Sequence, residues 1–232
     1  MKFTEPLVQA TLLKRYKRFL ADIKFPSGEI ITAHVANPGA MTGLKEPGSE
    51  VWVSPAQNPA RKLRWSWELI RIGDSLVGIN TSHPNSIVAE AINNNKIRTL
   101  SGYPKLRREV KYGESSRIDI LLEKSSGEKC FVEIKNVHLK RGKSAEFPDS
   151  VTTRGAKHLR ELSNMVKLGH RAVMVYLVQR EDCATFKIAK DIDPSYHDAF
   201  VKATNSGVEH LCYSCRLTTK SICIDKRIRM IL

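Results

Sequence analysis

Three residues near the middle of the sequence combine types and spacing that suit metal-dependent hydrolysis. Glu133 and Lys135 lie two positions apart in an apolar run, so on a β-strand they share one face. Asp119 interrupts an earlier apolar run and can stand beside them across a hairpin. Two converging carboxylates repel one another unless a cation joins them, and hard oxygen ligands favour Mg²⁺ or Mn²⁺. The spacing predicts a metal site at Asp119, Glu133 and the main chain of Ile134, with Lys135 placed to orient or deprotonate an attacking water.

An isolated Glu-x-Lys pair is weak evidence, because exposed strand faces often pair glutamate with lysine. A solvated strand face is therefore the alternative interpretation. Two features favour the metal site: the acids interrupt strongly apolar strands, and the element order α-β-β-β-α-β around them resembles the core of the PD-(D/E)xK nuclease superfamily. That resemblance implies one more acid on the first helix, and Glu90 is placed for it. The predicted catalytic residues are Asp119, Glu133, Lys135 and Glu90.

The elements that must position these residues follow from hydrophobic periodicity. A helix is predicted to begin at Pro84, and the region 155–167 is predicted to be an amphipathic helix with Gly169 beyond its end. The nearly all-apolar run 171–178 predicts a strand that is buried on both faces. The predicted order from residue 84 onward is α-β-β-β-α-β-α-β. The remaining predicted elements are strands around 108–111, 117–122 and 130–137, a helix near 194–204 and a strand from Val208.

The first third of the sequence has a different pattern. Alternating apolar residues over 19–25, a Pro-Ser-Gly turn and a second run over 30–35 predict a hairpin, and further short strands follow. Short strands with frequent turns favour a small barrel. We therefore predict an α/β protein with a small β-barrel over residues 1–82, followed over residues 83–232 by a domain that resembles the PD-(D/E)xK nucleases.

The charge balance predicts a polyanionic partner. The 232 residues contain 38 lysines and arginines against 24 acids, which gives a formal net charge of +14. A surplus of this size attracts nucleic acid, because each neutralised phosphate releases condensed counterions. A basic protein without such a partner is the alternative. A membrane surface fits poorly, since the sequence has no amphipathic lysine-rich helix.

Basic and aromatic residues alternate in two stretches of the first third. Such stretches offer phosphate contacts beside stacking faces, and ordinary strands with basic outer positions are the alternative. No helix-turn-helix or zinc finger is recognisable, so binding without sequence preference is expected. The oligomeric state, a dimer included, stays open, and RNA is not excluded as a partner. The predicted DNA-binding residues in these stretches are Lys14, Arg15, Lys17, Arg18, Arg61, Lys62, Arg64 and Trp65.

The cysteines and the N-terminal sequence favour a cytoplasmic protein. The N-terminal residues do not have the pattern of a signal peptide, and no apolar run reaches the roughly 20 residues that span a bilayer. Five cysteines without framework spacing suit free thiols in a reducing compartment. Cys212 and Cys215 are the one pair to weigh as a zinc site, but three apart on a strand they face opposite ways.

Several segments spread along the chain match one known family in order: 13–22, 37–43, 101–103, 109–113, 116–119, 132–135, 147–149, 153–155 and 157–159. Through these segments the whole chain resembles the sugar fermentation stimulation protein A (SfsA) family. The resemblance implies an OB-like barrel before a nuclease-like domain, sequence-independent DNA binding and a bacterial role linked to sugar (maltose) metabolism. It also makes Arg154 and His158 candidates for phosphate contact or leaving-group protonation; a helix-start arginine and a surface histidine are the alternative. A DNA-binding accessory or regulatory protein without catalysis stays open as a second function.

Overall fold

The first part of the chain closes into a five-stranded barrel in the computed structural model, which describes residues 1–58, 60–113 and 116–231. Strand β2 alternates between the barrel interior and solvent, as Ala21 and Ile23 (buried) and Lys24 (exposed) show, whereas β5 is buried along most of its length. Neighbouring strands pair in the order β3-β2-β1-β4-β5, and a bridge from His34 to Ser66 joins β3 to β5 and closes the ring. The strands are β1 (Val8–Tyr16), β2 (Leu20–Lys24), β3 (Ile30–His34), β4 (Glu50–Pro55), β5 (Trp65–Ile72) and the added edge strand β6 (Ser75–Gly78).

The second part is a mixed sheet with helices on both faces. Its strand order is β15-β14-β12-β9-β8-β7, in which β9, β12 and β14 are parallel. Helix α1 packs on one face and helices α2 and α3 pack on the other, and each face has its own apolar core. The elements are α1 (Pro84–Asn93), β7 (Lys105–Tyr112), β8 (Ser116–Glu123), β9 (Lys129–Val137), β10 (Leu139–Arg141), β11 (Ser144–Phe147), α2 (Thr153–Lys167), β12 (Arg171–Val178), β13 (Thr185–Ile188), α3 (Pro194–Asn205), β14 (Glu209–Leu217), β15 (Ile222–Arg227) and β16 (Arg229–Ile231), with a short 3₁₀ turn at Arg98–Leu100.

Local sequence signals explain where the helices begin and end. The Thr152 side chain accepts a hydrogen bond from the Gly155 amide, which caps α2. Asp193 caps α3 in the same way, just before Pro194 at its first position. Beyond the end of α2, Gly169 has φ of 83°, a left-handed conformation that only glycine adopts without strain. The Thr152 cap fixes the start of α2, the helix that carries Arg154 and His158.

The longer predicted elements are confirmed, but a second sheet was not predicted. Strand β12 is buried along nearly its whole length between β9 and β14, as the apolar run indicated. Cys212 and Cys215 are free thiols on opposite faces of β14. Strands β10, β11, β13 and β16 form a separate four-stranded sheet. They are three or four residues long, which is too short for a periodic pattern.

A loop of the barrel, residues 37–41, docks against the second part. The Asn37 amide lies 3.4 Å from His138, and the Met41 amide donates to Asp149 at 3.3 Å. At Gly39 any Cβ would stand 2.4 Å from an Asp149 oxygen, so only glycine fits this contact. Among the described residues, no helix is long and apolar enough to cross a lipid bilayer.

Candidate functional site

Asp119 and Glu133 lie in the middle of the neighbouring strands β8 and β9, just beyond the paired residues Ile120 and Val132. The Asp119 carboxylate accepts a hydrogen bond from the main-chain amide of Ile134 at 2.7 Å. Its other oxygen accepts from the Asn85 side chain, in the first turn of α1, at 2.9 Å. The acid is therefore held beside β9 from two sides, next to the strand position that carries Glu133.

Glu133 lies in the interior with one of its oxygens unsatisfied. Its side chain is only 2% exposed, and Oε1 accepts from Lys135 at 2.8 Å and from Nδ1 of His158. Burial alone would raise the pKa of Glu133, but the charge of Lys135 and the hydrogen bond from His158 keep it below its ordinary value. Oε2 is buried and has no hydrogen-bond partner among the described residues. An ionised carboxylate thus has one oxygen free for a ligand.

The two carboxylates repel one another across this site. Burial, and then the nearby charge of Glu133, raises the pKa of Asp119 to about 6. A divalent cation bound between them would remove that repulsion and would satisfy the free oxygen of Glu133, so the donor set fits Mg²⁺ or Mn²⁺. In the described part of the chain, no three His, Cys, Asp or Glu side chains form a metal-binding group. The remaining ligands would therefore be main-chain oxygens, such as that of Ile134, and water.

His158 is buried, which corrects the prediction that it is a DNA-contacting or surface residue. Arg154, one helical turn earlier in α2, donates from Nε to Nε2 of His158 at 3.2 Å. Because Nε2 accepts there, the neutral imidazole carries its hydrogen on Nδ1, which donates to Glu133. Both ring nitrogens are engaged, so neutral His158 has no free hydrogen for a leaving group. Its position suits orientation of Glu133, whereas Arg154 is exposed and can also reach a phosphate.

Glu90 is not part of this site, which corrects its prediction as the helix acid. Its carboxylate is 52% exposed and pairs with the N-terminal amine at 2.6 Å. Residues five apart on a helix point about 140° away from each other. Since Asn85 faces Asp119, Glu90 faces elsewhere, and the helix contributes an amide to the site in place of an acid.

Three polar residues near the site were missed by the sequence analysis. Glu109 receives a hydrogen bond from the same Asn85 amide at 2.9 Å and has φ of 53°, a strained conformation for glutamate. The hydroxyl of Tyr112 and one oxygen of Glu161 are buried without hydrogen-bond partners among the described residues. Burial, and then the charges of Glu133 and Glu161, raises the pKa of Tyr112. Glu109 and Tyr112 lie in the segment 109–113, which carries the family resemblance, but their proximity to the site depends on how β7 and α2 pack and could not be read from the sequence.

The predicted DNA-binding residues of the barrel differ in their accessibility. Lys14, Lys17 and Arg18 are exposed, although Lys14 also pairs with Asp22 at 3.4 Å. The prediction that Arg15 contacts phosphate is corrected, because its Nη2 donates to the main-chain oxygens of three residues at 2.8 to 3.1 Å. These acceptors are the carbonyls of Arg18, Asn37 and Gly39. Arg15 thus fastens the β1–β2 turn to the docking loop.

The second basic stretch is partly used by the barrel itself. Arg61 is half-buried and donates to Ser66 at 2.9 Å. Trp65 is half-buried and packs edge-on against Phe25, with ring centroids 5.2 Å apart, so the prediction that its face is free for stacking is corrected in part. Lys62 and Arg64 are exposed. Their contact with DNA stays a prediction.

Comparison with known proteins assigns both parts of the chain. A family model described as "Sugar fermentation stimulation protein RE domain" matches residues 82–221, and one described as "SfsA N-terminal OB domain" matches residues 13–79. The sugar fermentation stimulation protein homolog of Paramagnetospirillum magneticum is 61% identical over 222 residues, 96% of this chain and 94% of that protein. The homolog of Rhodospirillum centenum is 58% identical over 231 residues, 99% of each chain.

The fold agrees with these matches. The solved structure of Pyrococcus furiosus SfsA in complex with Ca²⁺ has a TM-score of 0.90 and 26% identity to this chain, and the match covers 100% of this chain and 98% of that one. The predicted order of domains is confirmed: an N-terminal OB domain precedes a mixed α/β domain. The chain belongs to the SfsA (sugar fermentation stimulation protein) family.

Proposed function

We propose that this protein binds DNA without sequence preference and that its second domain hydrolyses phosphodiesters with a divalent cation. One observation carries the proposal: Asp119 and Glu133 converge in a partly closed site, and the buried Glu133 keeps an oxygen that no described residue satisfies. Unsatisfied buried carboxylate oxygens are costly. A site that retains this cost, with Lys135 beside it, suits a cation and its substrate better than it suits a structural core.

The residues of the chain would divide the work as follows. Asp119, Glu133 and the main-chain oxygen of Ile134 would hold Mg²⁺ or Mn²⁺, which when bound supplies positive charge to the phosphate and acidifies water. Lys135, 2.8 Å from Glu133, would orient the water that attacks phosphorus as the bond to the leaving oxygen breaks. His158 would keep Glu133 in position, and Arg154 would contact the phosphate. The leaving oxygen would take its proton from solvent.

Two further observations support the proposal. The related Pyrococcus furiosus protein was solved in complex with Ca²⁺, an ion that prefers the same oxygen ligands as Mg²⁺ but binds more of them. The net charge of +14 and the exposed lysines and arginines of the barrel suit a phosphate backbone. A DNA substrate agrees with a location in the bacterial cytoplasm. RNA is also present there and would compete for the same binding surface. Either a monomer or a dimer is compatible with this function.

A non-catalytic DNA-binding protein that regulates sugar (maltose) metabolism is the second candidate. The observation that favours it is the pairing of Glu133 with both Lys135 and His158. Lys135 neutralises the carboxylate and His158 donates a hydrogen bond to it without a metal, as in a structural ion pair. Under this function the site would be a remnant, and neither binding nor any other property would depend on a divalent cation.

Incubation with labelled single-stranded, duplex and branched DNA separates the two candidates. The reactions contain Mg²⁺, Mn²⁺ or EDTA, and a Glu133→Ala/Lys135→Ala variant is run beside the unmodified protein. Cleavage products that require metal and vanish in the variant support the nuclease, and the preferred DNA identifies the substrate. DNA that is retarded but uncut in every reaction supports the regulatory protein.

A further inference from the structure

The outer face of the barrel exposes a pair of stacked rings. Phe19 is 44% exposed, and it is the only aromatic ring among the exposed large apolar side chains of the described residues. Its ring lies parallel to that of His34, with centroids 6.5 Å apart and an interplanar angle of 13°. His34 therefore lies beside Phe19 in a parallel, offset arrangement. A half-exposed ring in the turn between β1 and β2, with a parallel ring beside it, offers a flat surface for another ring.

The turn that presents Phe19 is unusual and is held in place. Lys17 and Arg18, between β1 and β2, have φ of 45° and 63°, which is costly for residues with a Cβ. The guanidinium of Arg15 holds the Arg18 carbonyl at 2.8 Å and so fixes the turn from below. Both side chains of the turn are exposed. The strained turn thus sets two positive charges directly before the exposed ring.

A third positive charge lies on the other side of the ring pair. His34 bridges to Ser66, and Ser66 accepts a hydrogen bond from Arg61 at 2.9 Å. Partial burial, and then the charge of Arg61, lowers the pKa of His34, so its ring is neutral at pH 7. A neutral imidazole can stack closely on Phe19 without holding a hydration shell.

We propose that Phe19 and His34 form a stacking platform for an unpaired base of single-stranded DNA, with Lys17, Arg18 and Arg61 taking the flanking phosphates. The inference rests on the proposed DNA binding and adds the strand state that the barrel recognises. Aromatic side chains bind single strands because every unpaired base has a free π-face. Bases inside a duplex have none, so the platform distinguishes the two forms. Charge complementarity selects a nucleic acid over a second copy of this chain, which carries the same net charge of +14.

The test measures the affinity of the full-length protein, in EDTA, for a labelled oligothymidylate and for a duplex of equal length by fluorescence anisotropy. Phe19→Leu keeps an apolar side chain but removes the ring, and we expect it to weaken single-strand binding about tenfold. Duplex binding should change less than about twofold, because it depends on phosphate contacts. Phe19→Trp should restore single-strand affinity. Ile30→Ala is the matched control, since Ile30 is 60% exposed on the same side of β3 as His34 and should change neither affinity.

Further readouts separate stacking from other roles of the ring. Phe19→Leu should leave the slope of log K against log salt concentration unchanged. Arg18→Ala should make that slope shallower by about 0.7 for a single strand. Equal loss for single strand and duplex, or no loss for either, would overturn the platform. A change of oligomeric state in Phe19→Leu without loss of single-strand affinity would overturn it in favour of a self-association surface. Phe19-dependent binding to RNA without binding to DNA would also overturn it.

Failure of the platform differs visibly from failure of the proposed function. Binding that depends on Phe19 without any metal-dependent cleavage would remove the nuclease and keep the platform. Cleavage that depends on Glu133, together with unchanged single-strand binding by Phe19→Leu, would remove the platform and keep the nuclease. Absence of any DNA binding by the unmodified protein would remove both.

Discussion

The amide of Asn85 donates a hydrogen bond of 2.9 Å to Asp119 and thereby links the first turn of α1 to the acid on β8. The same nitrogen donates to Glu109 at 2.9 Å, so one amide orients two carboxylates. A side chain that hydrogen-bonds to a metal ligand affects both the affinity of the site for the metal and the geometry of the ligands. Asn85 is therefore a positioning residue for the proposed cation.

Asn85→Ala should weaken Mn²⁺ binding and slow cleavage by a factor of about 10, because Asp119 loses one of its two supports. The loss of this partly exposed hydrogen bond should lower the free energy of unfolding by only about 1 kcal/mol. Titration calorimetry and a cleavage assay measure the two effects. The control is Asn93→Ala, at the exposed end of the same helix, and equal effects of both substitutions would contradict the assignment.

His158 should carry its hydrogen on Nδ1 when it is neutral. Arg154 donates to Nε2 at 3.2 Å, and Glu133 accepts from Nδ1, so the two partners select one tautomer. The ¹⁵N chemical shifts of the His158 ring report the tautomer directly. Arg154→Ala should weaken this preference without abolishing it, because Glu133 still accepts from Nδ1. A hydrogen on Nε2 in the unmodified protein would show that the contact with Arg154 is not formed in solution.

Arg15 and Lys17 should respond to substitution in opposite ways, although they are close neighbours in one basic stretch. Arg15→Ala should destabilise the protein by about 2 kcal/mol, because three main-chain oxygens lose their charged donor. Lys17→Ala should leave the stability unchanged. It should also make the slope of log K for duplex binding against log salt concentration shallower by about 0.9. Thermal unfolding and salt titrations measure both quantities. Equal melting temperatures of the two variants would contradict the structural role of Arg15.

The stability of the metal-free protein should depend on the protonation of Asp119. Its pKa is about 6 in the folded chain against about 4 in an unfolded one. Between these values the folded state binds more protons, so the contribution of Asp119 is favourable at low pH and is lost as the pH rises through 6. A cation competes with that proton. Mn²⁺ should therefore raise the melting temperature more at pH 7.5 than at pH 5, and this difference should disappear in Asp119→Ala. An equal effect of Mn²⁺ at both pH values would rule out Asp119 as a ligand.

The sequence predicted those features that depend on local pattern. The run 171–178 is apolar because β12 lies between two parallel strands, and such a run is visible without any structure. The hairpin of β8 and β9 likewise puts Asp119 beside Ile134, since strand alternation and a short connection limit the choices. A small barrel was recognisable from short strands separated by turns, whereas its OB character was implied only by the family resemblance.

Other features depend on contacts between distant segments. Glu90 was a wrong choice because the sequence does not say which side of α1 faces the sheet, and Asn85 occupies that side. Arg15 looks like its basic neighbours until residues 37–41 fold back and present their carbonyls. In the small sheet, β11 pairs with β13 and β13 pairs with β16, and each pair is far apart in the sequence. A local sequence pattern cannot predict such pairing.

The central claim is that Asp119 and Glu133 hold a cation that serves phosphodiester hydrolysis, and a paired assay of Asp119→Ala tests it most directly. Duplex binding and Mn²⁺-dependent cleavage are measured on the same protein preparations, with the unmodified chain beside the variant. We predict that cleavage by the variant falls to the level in EDTA, whereas its affinity for duplex DNA changes less than about twofold because the phosphate contacts lie elsewhere. Cleavage by Asp119→Ala at the rate of the unmodified protein would contradict the claim.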